Sequence, residues 1–155
     1  MLTKIKRFRY VIWIVLIISV SLFVFNIFFG NKLILKKLIG HLEKEIEAQT
    51  SLEIIDVESQ YGKLNGNGNG VQYFGVVLVH ADNEEDVKKF VKKKANDYEV
   101  LEYTVQSEAI VNNKYVQNIQ IEYDEKNINW LDGGYYSIYF YESDGKGNVF
   151  AFSGH

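Results

Sequence analysis

VQYFGVVLVH, residues 71–80, decides the fold. It is apolar on both faces and only as long as a strand, so it is expected to be a central strand covered on two sides. Just upstream, Ile55, Val57, Ser59 and Tyr61 recur with period two, the spacing that puts side chains on one face of a strand. Between these segments lies GKLNGNGNG, residues 62–70, a glycine-rich connection that makes the pair a hairpin. Downstream, Asp82 or Asn83 is placed to cap a helix running to about Asn96. Glu84, Glu85 and Asp86 stand at its positive end, and Val87, Phe90, Val91, Ala95 and Tyr98 form its apolar stripe.

Three further strand patterns follow. Leu101, Tyr103 and Val105 alternate with Glu102, Thr104 and Gln106. Tyr115, Gln117, Ile119, Ile121 and Tyr123 share one face of the next. In the third, Tyr135, Ser137, Tyr139 and Tyr141 face one way and Tyr136, Ile138 and Phe140 the other. A short segment, residues 149–152, is expected to pair back across the turn at Asp144-Gly145-Lys146-Gly147.

Upstream of the first strand, Leu35, Leu38, Ile39, Leu42 and Ile46 recur at helical spacing, with Lys36, Lys37, Glu43, Lys44, Glu45 and Glu47 opposite. Such a helix has three possible seats: the lipid surface, a stalk continuing the anchor, or the sheet. The fold class is thus α+β. A single N-terminal transmembrane helix and an amphipathic helix precede an antiparallel sheet of about five strands with one further helix, in the order ββαβββ, with the helices on one face. Strand order stays open.

Residues 10–29, YVIWIVLIISVSLFVFNIFF, contain no charge. A helix of that length spans roughly 30 Å, the thickness of the hydrocarbon core. Tyr10 and Trp13 stand at its basic end, as interfacial aromatics do. A signal peptide cut after Ser19-Val20-Ser21 is the alternative, but it would leave LFVFNIFF as a new N-terminus. An uncleaved signal-anchor fits better. Gly30-Asn31 reads as a helix stop at the interface. The organisation is a basic cytoplasmic tail (1–9), a transmembrane signal-anchor (10–30), an amphipathic juxtamembrane helix (31–50) and a soluble α+β domain (51–155). Lys4, Lys6, Arg7 and Arg9 precede the apolar stretch, whereas Lys32, Lys36 and Lys37 follow it. That bias places the domain outside the cytoplasm of a cell membrane crossed once.

All 20 acidic residues lie after Gly30, against 13 Lys there, a net of −7. So acidic a domain repels phosphate backbones and argues against nucleic acid as partner. The chain has no cysteine and no proline. Disulfides, thiolate metal sites, cysteine nucleophiles and bacterial lipidation are thereby excluded. Lys, Asn, Ile and Tyr are heavily used, which hints at an AT-rich bacterial genome.

Motifs for chemistry are scarce. The glycines at 66, 68 and 70 match neither dinucleotide-binding nor P-loop spacing, and a flexible hairpin tip is expected. Asp124-Glu125-Lys126-Asn127-Ile128-Asn129 resembles a calcium loop in composition, but Lys126 and Ile128 stand where oxygen ligands are needed. His41, His80 and His155 are not at metal spacing from one another. An enzyme would need a scattered site near His80 and Asp82. No catalysis, cofactor, metal or small-molecule substrate is expected. Tyr135, Tyr139 and Tyr141 are the candidate partner-binding residues, on a tyrosine-lined strand face suited to a protein or peptide.

The basic leader, apolar helix, amphipathic continuation and antiparallel sheet together resemble the type IV pilin layout. That resemblance implies a structural subunit of a filament. The pilin cleavage signature, a glycine before the apolar segment and a glutamate near its start, is replaced by Arg9-Tyr10. Gly30-Asn31 also interrupts the long helix a pilin needs. The leading expectation is a membrane-anchored, extracytoplasmic protein- or peptide-binding domain of the secretion-accessory, immunity or surface-sensing type. The pilin-like subunit and the enzyme are its alternatives.

Overall fold

The structure is a computed structural model that describes residues 2–25, 29–62, 64, 70–115, 121–123 and 128–143. Three helices, a four-stranded antiparallel sheet and a two-stranded ribbon make up the described chain. Helix α1 spans Leu2–Phe25. It starts inside the basic leader, and it is long and apolar enough to cross a membrane. Helix α2 spans Asn31–Glu47. Gly30 has helical dihedrals and no side-chain cap, so it is not the left-handed stop its sequence suggests.

Leu35, Ile39, Leu42 and Ile46 are the buried stripe of α2. The helix packs on the sheet, and each of these side chains contributes about 1.5–3 kcal/mol of burial. Strand β1 (Glu53–Gly62) returns along the helix and pairs antiparallel with β2 (Gln72–His80), as the hairpin pattern predicts. All of β2 except its last residue is buried. In the connecting loop, residues 63 and 65–69 lie outside the described residues. Leu64 is buried and donates its N–H to Gln72 Oε1 at 2.6 Å.

Helix α3 spans Glu84–Lys94 and buries Val87, Phe90 and Val91. Asn83 caps it by accepting the N–H of Asp86 at 3.1 Å. A 3-10 turn, Ala95–Asp97, leads to β3 (Val100–Val105). The last described strand, β6 (Tyr135–Ser143), inserts between β2 and β3. The sheet order is therefore β1-β2-β6-β3.

Both α2 and α3 cover one face, over Tyr73, Val77, Val79, Leu101, Tyr136, Ile138 and Phe140. The second face differs from expectation. Instead of a fifth strand on the sheet, the described residues between β3 and β6 pack over that face. They carry the ribbon of β4 (Ile110–Val111) and β5 (Ile121–Glu122). Tyr115 and Tyr123, expected within one strand, flank β5 rather than belonging to it. Residues 116–120, between them, lie outside the described residues. Of the alternating set, Tyr115, Ile121 and Tyr123 do face inward, but onto the sheet's surface and not along its edge. Val111, Ile121 and Tyr123 pack with Phe74, Val76, Leu78 and Tyr139 in a second core. The expected strand at residues 149–152 lies outside the described residues too.

Candidate functional site

The tyrosines of β6 face as their alternation predicts, but the crossing segment covers two of them. Tyr139 and Tyr141 are buried, at 6% and 7% exposure, and Tyr135 is half-buried. Tyr141 stacks on Tyr115 with ring centroids 5.3 Å apart. Tyr139 stacks on Phe74 and donates its hydroxyl to Glu102 Oε2 at 2.8 Å. The expectation of an open tyrosine-lined face is thus corrected for Tyr139 and Tyr141: their rings are core, because the segment after β3 folds over them.

Glu102 gathers this region. Its Oε1 accepts from Tyr115 at 3.0 Å and from Lys114 at 3.1 Å. Burial alone would raise its pKa, but the hydrogen bonds from Tyr139, Lys114 and Tyr115 outweigh burial and hold the carboxyl below its ordinary value. Burial, then the Glu102 carboxylate, pushes the Tyr139 hydroxyl up, so it stays a donor. A depressed carboxyl pKa stabilises the fold above the unfolded value, and the contribution is lost as pH falls through the folded value. The unfolded chain titrates near 4.5. Glu102→Gln is therefore expected to be less acid-sensitive than wild type below that pH, in urea unfolding followed across the acid range. An equal acid dependence in both proteins would contradict this assignment.

At the other end of β6, Tyr135 meets His80 and Trp130 edge-on, at 5.3 and 5.4 Å between centroids. Gly133 and Gly134 have φ of +70° and +76°, which favour glycine and turn the chain into β6. A Cβ on Gly134 would come within 2.9 Å of His80 Nε2, so the turn is seated against that imidazole. Asp82 is exposed. Among the described residues it forms no hydrogen bond or ion pair with His80, so the two are not assembled as an acid–base pair. Around this end stand the most exposed apolar side chains outside α1, Leu131 at 95% and Val105 at 61%.

A cluster the sequence comparison of histidines missed lies between α2 and α3. His41, Glu45 and Asp97 offer ligand atoms within 4.8 Å of one another. The signal was the i, i+4 spacing of His41 and Glu45, which stacks both on one helix face. The Lys94 ammonium sits among them, bonded to Glu45 Oε1 and 3.5 Å from Asp97 Oδ2. It supplies the positive charge that a metal ion would bring. Glu45 Oε2 and the Tyr98 hydroxyl are buried beside it without a hydrogen-bond partner among the described residues. In the Asp- and Asn-rich stretch, residues 124–127 lie outside the described residues. Ile128 packs against the second core, so its side chain is apolar filling.

Finally, a groove of about 470 Å³ runs between α2 and β1, lined by Lys32, Leu35, Lys36, Ile39, Ser59, Gln60 and Tyr61. No protein-family model, curated protein or solved structure matches this chain.

Proposed function

We propose that α1 anchors the chain in a cell membrane and holds the domain outside the cytoplasm. There the end of the sheet farthest from the anchor binds a protein or peptide, without catalysis. Exposed apolar surfaces at opposite ends of the sheet carry this assignment. At one end is α1, whose apolar window Phe8–Phe25 has no buried share. In water so much uncovered apolar surface is unfavourable, and lipid removes the cost. The chain leaves α1 toward Asn31, whose side chain accepts the Tyr73 hydroxyl at 2.9 Å. Tyr73 pairs with Tyr61 and Glu142, which fixes the near end of the sheet.

The far end holds His80 and Tyr135, paired across β2 and β6. Val105, opposite Tyr136, and Leu131, next to Trp130, stand at this same end. An exposed leucine beside half-buried aromatics is the composition of a small interaction patch. Of the three candidate tyrosines, Tyr135 is the one that stays accessible enough to take part. The prominent polar groups elsewhere are engaged internally, Glu102 by three donors and Lys94 by two carboxylates.

The test uses the full chain with a C-terminal tag and a photo-reactive residue at position 131 or, as control, at exposed Lys88. External protease is expected to remove the tag from intact cells. Irradiation is expected to give a discrete protein adduct from 131 and none from 88, with Val105→Asp abolishing it. A protected tag overturns the topology. Equal adducts from both positions, or indifference to Val105→Asp, overturn the binding surface.

A further inference from the structure

The groove between α2 and β1 stands at the near end of the sheet, where the chain arrives from α1. Lys32 and Lys36 are one helical turn apart and so share a face of α2. Among the described residues neither they nor Lys37 form an ion pair. All three lysines precede the first acidic residue, Glu43, so every charge between Gly30 and Glu43 is basic. The floor is apolar, formed by Leu35 and Ile39, and Tyr61, 38% exposed, stands on the opposite wall with Ser59 and Gln60. Asp56 and Glu58 alternate with Val57 and Ser59 along β1, and neither lines the groove.

We propose that this groove binds the headgroup of an anionic phospholipid, an inference that rests on the anchored reading of α1. Lys32 and Lys36 neutralise the phosphate, the Tyr61 and Ser59 hydroxyls supply donors, and the glycerol end lies over Leu35 and Ile39. Reach supports this occupant. Six residues separate Phe25, the last of α1, from Lys32. Even fully extended, the chain from Phe25 to Lys32 spans no more than about 25 Å, which limits how far a groove mouth that starts at Lys32 can stand from the interface. Charge supports it too, because an anionic surface attracts the basic start of an acidic domain and orients the far end away from the bilayer.

The full chain is reconstituted into vesicles of phosphatidylcholine alone or of phosphatidylcholine with phosphatidylglycerol. Flotation reads anchoring, and amide exchange at residues 32–36 and 59–61 reads the groove. The expected result is flotation with both vesicle types but slowed exchange only with phosphatidylglycerol. Each lysine beside an anionic surface supplies about a fivefold preference, so Lys32→Gln/Lys36→Gln is expected to lower selectivity for the charged lipid about thirtyfold while still floating. Lys37→Gln, off the groove, is expected to keep the protection. Protection that is the same without phosphatidylglycerol, that survives the double substitution, or that is lost equally with Lys37→Gln overturns the proposal. So does protection by free inorganic phosphate in phosphatidylcholine vesicles, which would make the groove a phosphate site. Failure of the wild type to float overturns the anchor first, and the headgroup site with it.

Discussion

Gly75→Ala is expected to destabilise the domain by about 2–3 kcal/mol, the upper range for overpacking a filled core. Gly75 lies on the central strand opposite Ser59 on one side and Phe140 on the other. A Cβ there would stand 2.4 Å from Phe140 Cε1, 2.7 Å from its Cζ and 2.8 Å from Ile39 Cδ1. The isoleucine methyl can rotate away. The Phe140 ring cannot, since it is fully buried and stacked on Tyr98 at 5.6 Å. The missing side chain at position 75 is what lets α2 lie close on the sheet. Alanine also restricts the unfolded chain, but that offset is only about 0.4–1 kcal/mol. The decisive comparison is a double-mutant cycle with Phe140→Leu in urea unfolding. Leucine vacates the space a Cβ needs, so the two substitutions are expected to couple by at least about 1 kcal/mol, the double variant being more stable than additivity predicts. Strict additivity would mean that the clash is relieved elsewhere.

Local patterns made much of this architecture readable. The 3-4-4 spacing of Leu35, Leu38, Leu42 and Ile46 names the helix that covers the sheet. Residues 71–80, apolar on both faces, name the central strand, and Asn83 with Glu84, Glu85 and Asp86 names a helix start. What stayed hidden is nonlocal. The insertion of β6 between β2 and β3 pairs residues 31 or more positions apart, and no periodicity encodes it. Tyr115, Ile121 and Tyr123 alternate like residues of a strand because they do cover an apolar surface. Alternation reports burial of one face without saying whether the neighbour is a strand's edge or a sheet's face. The same ambiguity hid the fate of the tyrosines: Tyr139 and Tyr141 lie under the crossing segment, whereas Tyr135, at the strand's start, emerges beside Leu131. Gly75 carries no signal of its own in the strand pattern, and only the position of Phe140 gives it a role. Lys36 reads as the polar side of a helix and Lys32 as a charge following the anchor, until β1 supplies the groove's second wall.

Ser137→Ala is expected to cost about 2–4 kcal/mol, a large effect for one hydroxyl, because two buried groups lose their partners at once. Ser137 is wholly buried on β6. Gln106 Nε2 donates to the carbonyls of Glu108 and Ile110 at 2.7 and 2.9 Å, which fixes the orientation of the amide. Its Oε1 must then accept, and Ser137 Oγ donates to it at 2.7 Å. The serine has one proton to give, so the contact of 2.8 Å with Tyr123 runs the other way, from the phenol to Oγ. Burial pushes the Tyr123 hydroxyl above its ordinary pKa and keeps that proton in place. One serine thus ties down both legs of the ribbon: Gln106 where the chain leaves the sheet, and Tyr123 where β5 ends. Alanine strands the Gln106 oxygen and the Tyr123 proton under the crossing segment. Tyr123→Phe leaves only a serine lone pair unfilled and is expected to cost about 1 kcal/mol, apart from any change in packing. Native-state hydrogen exchange separates the ribbon from the sheet. In Ser137→Ala, amides of residues 106–111 and 121–123 are expected to open with a lower free energy than those of β1 and β2. Uniform loss of protection over the whole domain would instead mean that ribbon and sheet unfold as one unit, with the serine acting on the entire core.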